Sequence, residues 1–70
     1  MNTYRVRHQR KQLGLMQSDM AKTLGISKGT YSKKENGFLK FSLEEAHQLS
    51  KFFNMSIEDL FFDDKHPILT

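Results

Sequence analysis

Seventy residues are enough for one small domain, and a chain this short buries only about 60% of the surface that its unfolded form exposes. The sequence contains no cysteine, which excludes disulfide bonds and cysteine-based zinc sites and fits a reducing, cytosolic setting. We expect no signal peptide, and no apolar run in the sequence approaches the ~18 residues of a membrane span. We therefore expect one compact all-α domain, reinforced by dimerisation.

The charges are divided unevenly along the chain. Residues 1–40 hold nine Lys or Arg against two acidic residues, a net charge of +7, whereas residues 41–70 hold two Lys against six acidic residues, a net charge of −4. A basic half of this kind favours a polyanionic partner, although an ordinary solvated surface is the alternative. One face would then be able to meet phosphates while the other remains free for protein contacts.

Three short helices are predicted in the first half of the chain. The first helix is predicted over residues 3–13, where Val6, Gln9 or Arg10, and Leu13 recur at three-to-four spacing. Residues 17–24 follow with an apolar face, and residues 28–36 form the third helix. Glycine follows each helix, where a left-handed C-terminal residue is favoured. The residues predicted to bound these helices are Thr3, Gly14, Gly25, Ser27 and Gly37.

Two more helices are predicted in the second half. Ser42 and Glu45 have the spacing of a capping box, and the helix that they begin runs to Phe53. Its apolar face is predicted to hold Leu43, Ala46, Leu49 and Phe53. Asn54 can replace glycine at its end, and Ser56 caps a fifth helix over residues 57–61. We expect no sheet, a domain over residues 1–62, and a short flexible tail over residues 63–70.

Residues 17–36 have the spacing of a helix-turn-helix. Two helices that cross within a three-to-four-residue turn need a small residue where they touch and a glycine in the turn, and Ala21 and Gly25 supply them. The apolar residues predicted to join this pair to the core are Met20, Leu24, Ile26 and Tyr31. Lys34 departs from the pattern at a position that is normally apolar: either its methylenes lie on the core, or it weakens the packing of the third helix.

Six segments carry a family resemblance: Arg10-Lys11-Gln12-Leu13-Gly14-Leu15, Gln17, Ala21, Leu24-Gly25-Ile26-Ser27, Glu35-Asn36-Gly37 and Ser56-Ile57-Glu58-Asp59-Leu60. Together they resemble the Cro/CI-type (XRE, lambda-repressor-like) helix-turn-helix family over residues 4 to about 62. The resemblance implies a five-helix DNA-binding domain whose third helix lies in the major groove, usually as a dimer on a near-palindromic operator.

The resemblance also implies roles for individual residues. Base-facing positions are Lys28, Gly29, Thr30, Ser32 and Lys33, and phosphate-contacting positions are Gln17, Ser27, Asn36 and Lys40. Lysine can donate to guanine O6 and N7, but phosphate contact alone is the alternative for both base-facing lysines. Glycine cannot contact a base edge, although it lets a helix approach DNA closely. Arg10 and Glu35 match a buried ion pair that ties the first helix to the end of the third.

The aromatic and apolar residues exceed what one small core needs. Two segments carry the surplus, the loop at residues 38–41 and the C-terminal segment at residues 55–62. We expect a homodimer interface there, and the alternative is that several of the rings enlarge a thin core. The residues predicted for the interface are Phe38, Phe41, Met55, Ile57, Phe61 and Phe62.

No constellation of catalytic or metal-binding residues is present. His8, His47 and His66 lack metal-ligand spacing, the acidic residues are dispersed, and no glycine-rich phosphate loop exists. We therefore expect no enzyme, no metal and no cofactor. The sequence predicts a small transcriptional repressor that is cytoplasmic and associated with the nucleoid. We expect the chain to have no room for a ligand-sensing second domain. The alternative is an antitoxin or anti-repressor whose main partner is another protein.

Overall fold

The computed structural model describes residues 3–62, which form five α-helices and no strand. The helices are α1 (Tyr4–Gln12), α2 (Gln17–Leu24), α3 (Lys28–Glu35), α4 (Leu43–Phe53) and α5 (Ile57–Phe61). The predicted all-α fold is therefore confirmed, and α1 and α3 are slightly shorter than expected. The tail predicted at residues 63–70 lies outside the described residues. No helix among residues 3–62 has the length and apolar content needed to cross a membrane.

Local hydrogen bonds explain most of the helix ends. The hydroxyl oxygens of Ser27, Ser42 and Ser56 each accept the backbone N–H of the residue three positions later. These hydrogen bonds cap the first turns of α3, α4 and α5, respectively. The predicted capping box is complete, because the Glu45 carboxylate also accepts the Ser42 backbone N–H at 2.8 Å. Asn54 ends α4 in the left-handed region at φ 56°, as expected for a residue that replaces glycine there.

The N-terminus of α2 is capped from one side only. Met16 occupies the N-cap position and has no side-chain oxygen to accept a backbone N–H of the first turn. In the reverse direction of the capping box, the Asp19 carboxylate accepts the Met16 backbone N–H at 2.8 Å. The first turn of α2 therefore keeps backbone donors that no side chain of the cap satisfies.

Thr3 behaves differently from its predicted role as the cap of α1. It occupies the N-cap position but makes no capping hydrogen bond, and its hydroxyl donates instead to the Glu35 carbonyl oxygen at 2.7 Å. The start of α1 is thereby joined to the end of α3, a contact between residues that are far apart in the sequence. Helix spacing alone does not indicate such a bond.

The core lies where α2 and α3 meet α1, α4 and α5. Three rings are joined through Phe41, which lies 6.0 Å from Tyr31 and 5.8 Å from Phe61 between ring centroids. Ala21 is buried, in keeping with the small residue predicted for the helix-turn-helix. The buried core residues are Val6, Met20, Ala21, Leu24, Tyr31, Phe41, Ala46, Leu49, Phe53, Leu60 and Phe61.

Two leucines that the spacing placed on apolar faces are exposed. Leu43 is 78% exposed because it is the first residue of α4 and lies beyond the buried stripe of Ala46, Leu49 and Phe53. Leu13 is exposed because it follows the last turn of α1 as its C-cap residue. The predicted apolar face was therefore wrong at both terminal positions, where the helix has already left the core.

Candidate nucleic-acid interface

The outer face of α3 is polar and basic. Lys28 and Ser32 are one helical turn apart, as are Gly29 and Lys33, so these four residues share one side of the helix. Lys28, Gly29 and Lys33 are exposed, and Ser32 is half-buried. Glu35, the only acidic residue of α3, is buried. The exposed face is therefore free of negative side chains contributed by α3.

Ser27 and Thr30 are joined to each other at the start of α3. The Ser27 oxygen accepts the Thr30 backbone N–H at 3.1 Å, and the Ser27 hydroxyl donates to the Thr30 hydroxyl oxygen at 2.9 Å. The Thr30 hydroxyl hydrogen remains available to a ligand. Both side chains thus serve the cap of α3, and Ser27 is held in place by it.

Gly29 is not required by the packing of the protein itself. A Cβ atom at this position would have no heavy atom within 4 Å, and the backbone is not in the left-handed region. Nothing within the described chain therefore explains a glycine in the first turn of a helix, where it weakens helix formation by about 1 kcal/mol relative to alanine.

Glu35 is the centre of a buried polar network. Its carboxylate accepts from Arg10 through Nε at 2.8 Å and Nη2 at 3.1 Å, and from the Tyr31 hydroxyl at 2.6 Å. The Gln17 side-chain amide donates to the same carboxylate at 3.1 Å. Since Glu35 is only 1% exposed, these donors replace water around its charge. Residues of α1, α2 and α3 are held together at this one group.

The sequence predicted Arg10 and Glu35 as partners but did not indicate the other donors. Tyr31 could have been found, because residues i and i+4 of a helix are neighbours and Tyr31 precedes Glu35 by four positions. Gln17 and Arg7 gave no comparable local signal. Arg7 donates to the Glu35 carbonyl oxygen at 3.3 Å and to Asn36 Oδ1 at 3.2 Å, so α1 also holds the end of α3.

The network shifts the pKa values of its members in opposite directions. Burial raises the pKa of the Glu35 carboxyl, but hydrogen bonds from Arg10, Tyr31 and Gln17 outweigh burial and leave the pKa below its ordinary value. The hydrogen bond to Glu35 raises the pKa of Arg10. Burial and the same carboxylate raise the pKa of Tyr31. All three groups therefore keep their ordinary charge states near neutral pH.

Gln17 and Lys28, predicted for a phosphate and for a base edge, lie on the same side of the molecule. Both line a shallow concavity at the start of α2, together with Arg10, Met16 and Ser18. The Gln17 amide uses one N–H on Glu35, so its second N–H remains for a ligand. The position of Lys28 beside α2 keeps open both of its predicted roles, phosphate contact and base contact.

Asn36 and Lys40, the other predicted phosphate contacts, follow α3. Both are exposed. The Asn36 amide donates to the Ser32 hydroxyl oxygen at 3.3 Å, while its oxygen accepts from Arg7. Asn36 is therefore oriented by two neighbours, whereas the Lys40 side chain extends from the loop between α3 and α4.

Lys34 forms a bridge between two helices. Its ammonium lies 2.5 Å from the Glu45 carboxylate of α4, and both side chains are largely buried. Burial raises the pKa of Glu45, but the hydrogen bonds from Lys34 and from the Ser42 backbone lower it below its ordinary value. Of the two predicted outcomes, the structure supports a lysine that packs on the core and pairs at its edge, away from the outer face of α3.

Only some of the residues predicted for the dimer interface are exposed on the single chain. Phe41 and Phe61 are buried in the core of the single chain, which corrects their assignment to an interface and supports the alternative that these rings enlarge a thin core. Met55 and Ile57 are half-buried and pack against that core. Phe38 is 79% exposed and Phe62 is 51% exposed, so these two remain available to a partner.

The histidines and acidic residues form no ligand cluster in the part of the chain that the structure describes. His8 and His47 are exposed on α1 and α4, and His66 lies outside the described residues. His8 stacks on Tyr4, with ring centroids 5.7 Å apart. Within residues 3–62, no group of three or more His, Asp or Glu side chains is arranged to hold a metal ion.

Comparison with known proteins agrees with this geometry. A helix-turn-helix family model matches residues 6–60. An HTH-type transcriptional regulator of Archaeoglobus fulgidus is 39% identical over 62 residues, which cover 87% of this chain and 89% of the relative. A regulator of the same description from Methanocaldococcus jannaschii is 45% identical over 47 residues, covering 67% of this chain and 71% of the relative.

A third relative, from Methanothermobacter thermautotrophicus, is also an HTH-type transcriptional regulator and is 34% identical over 61 residues, covering 86% of this chain and 88% of its own length. No solved structure matches the chain significantly. Proteins of this family are DNA-binding regulators and not enzymes. The matched helix-turn-helix, the five-helix fold and these relatives show that the chain belongs to the Cro/CI-type helix-turn-helix family of transcriptional regulators.

Proposed function

We propose that this protein is a sequence-specific transcriptional repressor that inserts α3 into the major groove of double-stranded DNA. The observation that carries the proposal is the outer face of α3, where Lys28, Ser32 and Lys33 share one side of the helix, while Glu35, its only acidic residue, is buried. The major groove is wide enough to admit an α-helix, and lysine and serine side chains can donate to base edges or phosphates there.

Base contacts and phosphate contacts are divided along the motif. Lys33, in the last turn of α3, is proposed to donate to guanine O6 or N7. Gln17, Asn36 and Lys40 flank the outer face of α3 and are proposed to contact phosphates on either side of the groove. Lys28 is the residue whose role is open, because it lies beside Gln17 at the start of α2 as well as on α3.

A homodimer on a near-palindromic operator is the second part of the proposal. One recognition helix contacts only a few base pairs, so a pair of domains related by a two-fold axis gains affinity by occupying two half-sites. Phe62 supports this assignment because it is exposed at the end of α5, and Met55 and Ile57, at the start of that segment, are only half-buried. A dimer bound across a promoter would block polymerase, and such a protein would act in the cytoplasm, at the nucleoid.

The test is the binding of purified protein to the DNA upstream of its own gene, compared with a scrambled fragment by fluorescence anisotropy across a salt series. Lys28→Ala and Lys33→Ala are compared with the wild type, and Lys51→Ala is the control because it removes the same charge from an exposed position on α4. We expect the wild type and the control to prefer the upstream fragment. Lys33→Ala should lose or change that preference.

The outcomes separate the roles of the two lysines. A Lys28→Ala variant that weakens binding to both fragments equally has lost a phosphate contact, whereas one that changes the preference has lost a base contact. Equal, salt-sensitive binding of the wild type to both fragments would contradict sequence recognition at this site. An absence of binding at low salt would contradict the proposed function.

A protein partner is the second candidate, as in an antitoxin or an anti-repressor. The observation that favours it is the number of large apolar side chains left exposed among the described residues, Phe38 and Phe62 included. Under this proposal, substitutions of exposed apolar residues would abolish the regulatory effect in cells while Lys33→Ala would not. The two candidates are therefore distinguished by which surface the effect depends on.

A further inference from the structure

Phe38 lies beside the recognition face, in an open groove that begins at α3. The walls of the groove are Ser32, Lys33, Asn36, Phe38 and Leu39. Three of these residues belong to the polar surface already assigned to DNA, and the other two supply an apolar wall. A phenyl ring that is 79% exposed costs free energy in water unless a partner covers it.

The charge of the groove indicates which kind of partner covers it. Lys33 lines it, Lys40 is exposed in the same loop, and no acidic side chain is among the lining residues. A second copy of this chain would have to bring its own apolar surface against this basic rim. Duplex DNA brings phosphates for the lysines and presents apolar groups, the thymine methyls, in the same major groove.

The backbone holds Phe38 close to the end of α3. The Phe38 backbone N–H donates to the Lys33 carbonyl oxygen at 2.8 Å, and Leu39 donates to the same oxygen at 3.1 Å. Gly37, at φ 88°, makes the turn that brings both residues back along the helix. The ring is therefore carried on the same rigid segment as Lys33 and moves with the recognition helix.

We propose that Phe38 is a specificity-determining residue that packs against a thymine methyl group next to the base pair contacted by Lys33. The inference rests on the proposed DNA-binding function and takes Phe38 out of the predicted dimer surface, which leaves Phe62 with Met55 and Ile57. Apolar contact between a phenylalanine ring and the thymine methyl is an established form of base recognition in the major groove.

The test is selection of binding sites from a random duplex pool with the wild type, Phe38→Ala, Lys33→Ala and Phe52→Ala. Phe52→Ala is the matched control, since it removes a phenylalanine ring that is 42% exposed on α4 and belongs to neither the DNA-binding face nor the proposed dimer surface. The wild type and the control should select thymine at one position, adjacent to the position that changes in Lys33→Ala. Phe38→Ala should lose the preference for thymine there and keep the rest of the site.

A second measurement removes the methyl group alone. Substitution of uracil for that thymine should weaken wild-type binding about threefold to fivefold, which is the effect expected from one buried methyl group. The affinity of Phe38→Ala should be the same for both bases. An equal effect of uracil on both proteins would overturn the proposal. Urea unfolding of each variant should give the midpoint of the wild type, which verifies that the variants are folded under the binding conditions.

Two further outcomes also overturn the proposal and differ from each other. If the wild type selects a site and Phe38→Ala selects the same site but no longer dimerises in sedimentation equilibrium, Phe38 contacts a second copy of the chain. If the wild type selects no sequence at all, the proposed function itself fails. The first outcome leaves DNA recognition by α3 intact, so the two failures are distinguishable.

Discussion

At the scale of single residues, Glu35 links three helices through its side chain. Its carboxylate is buried and receives hydrogen bonds from α1, α2 and its own helix, so it joins the helix-turn-helix to the rest of the domain. A buried charge is tolerated only when its lone pairs are satisfied in this way. Removal of the charge would leave Arg10 buried without its counter-ion.

Glu35→Gln is therefore predicted to destabilise the domain by about 3 kcal/mol, near the lower end of the range for one member of a buried ion pair. Glu44→Gln, which removes an exposed carboxylate from α4, is the control and should change stability by less than about 1 kcal/mol. Urea denaturation at pH 7 measures both. Equal effects of the two substitutions would show that the network contributes no more than an exposed charge.

The pH dependence of stability follows from the same group. The pKa of Glu35 is lower in the folded protein than its ordinary value of 4.5, so the unfolded chain binds protons at a higher pH than the folded one. The stabilisation is complete above pH 4.5 and is lost as the pH falls through the folded pKa. Urea midpoints between pH 3 and pH 7 should decline over this acidic range, and the decline should be shallower in Glu35→Gln.

Gly29 is the residue at which stability and function are predicted to conflict. Gly29→Ala should stabilise the protein by about 0.5–1 kcal/mol, because alanine favours the helix and its Cβ meets no neighbour. The same Cβ should weaken DNA binding if α3 approaches DNA closely at this point. Thermal unfolding and anisotropy measure the two effects; higher stability with unchanged affinity would contradict close approach.

At the scale of secondary-structure elements, helix ends were predictable because they depend on neighbours in the sequence. The serine caps of α3, α4 and α5 and the left-handed Asn54 each involve residues within about four positions. Thr3 was not predictable in the same way, since its hydroxyl bonds to the far end of α3 instead of to its own helix. The pairing of Lys34 with Glu45 likewise required the packing of α3 on α4.

The N-terminus of α2, where no side-chain oxygen caps the helix, allows a direct test. Met16→Ser should stabilise the protein by about 1 kcal/mol relative to Met16→Ala, because the extended backbone at residue 16 suits a serine that accepts a backbone N–H of α2. Alanine is the matched reference because it removes the same exposed apolar side chain without adding an acceptor. Equal urea midpoints for the two variants would mean that Asp19 alone suffices to hold this helix end.

At the scale of the whole molecule, the basic and acidic halves of the sequence form different helices. The exposed lysines of α3 and the following loop, Lys28, Lys33 and Lys40, lie in the basic half, whereas exposed acidic residues occur on α4 and α5. Such an arrangement would orient the molecule toward a phosphate surface before any specific contact forms. The affinity for DNA should therefore fall steeply as salt concentration rises.

Lys40→Ala is predicted to weaken binding to all DNA sequences alike and to reduce the slope of log affinity against log salt by about 1, as expected for one lost phosphate contact. Anisotropy titrations at several salt concentrations measure the slope for the upstream and scrambled fragments. A change in the preference between fragments, with the slope unchanged, would show that Lys40 contacts a base.

The sequence by itself determined the five helices, the helix-turn-helix and the basic face of α3, because helix spacing, caps and turn glycines act over a few residues. Only the tertiary structure decided which aromatic rings are buried. Phe41 and Phe61 belong to the core while Phe38 and Phe62 do not, although Phe38 and Phe41 lie in one loop and Phe61 and Phe62 are adjacent in the sequence. Burial of a ring depends on helices that are distant in the chain, and so does the convergence of Arg10, Gln17 and Tyr31 on Glu35. Contacts of this kind form only when the helices pack, so no local pattern encodes them.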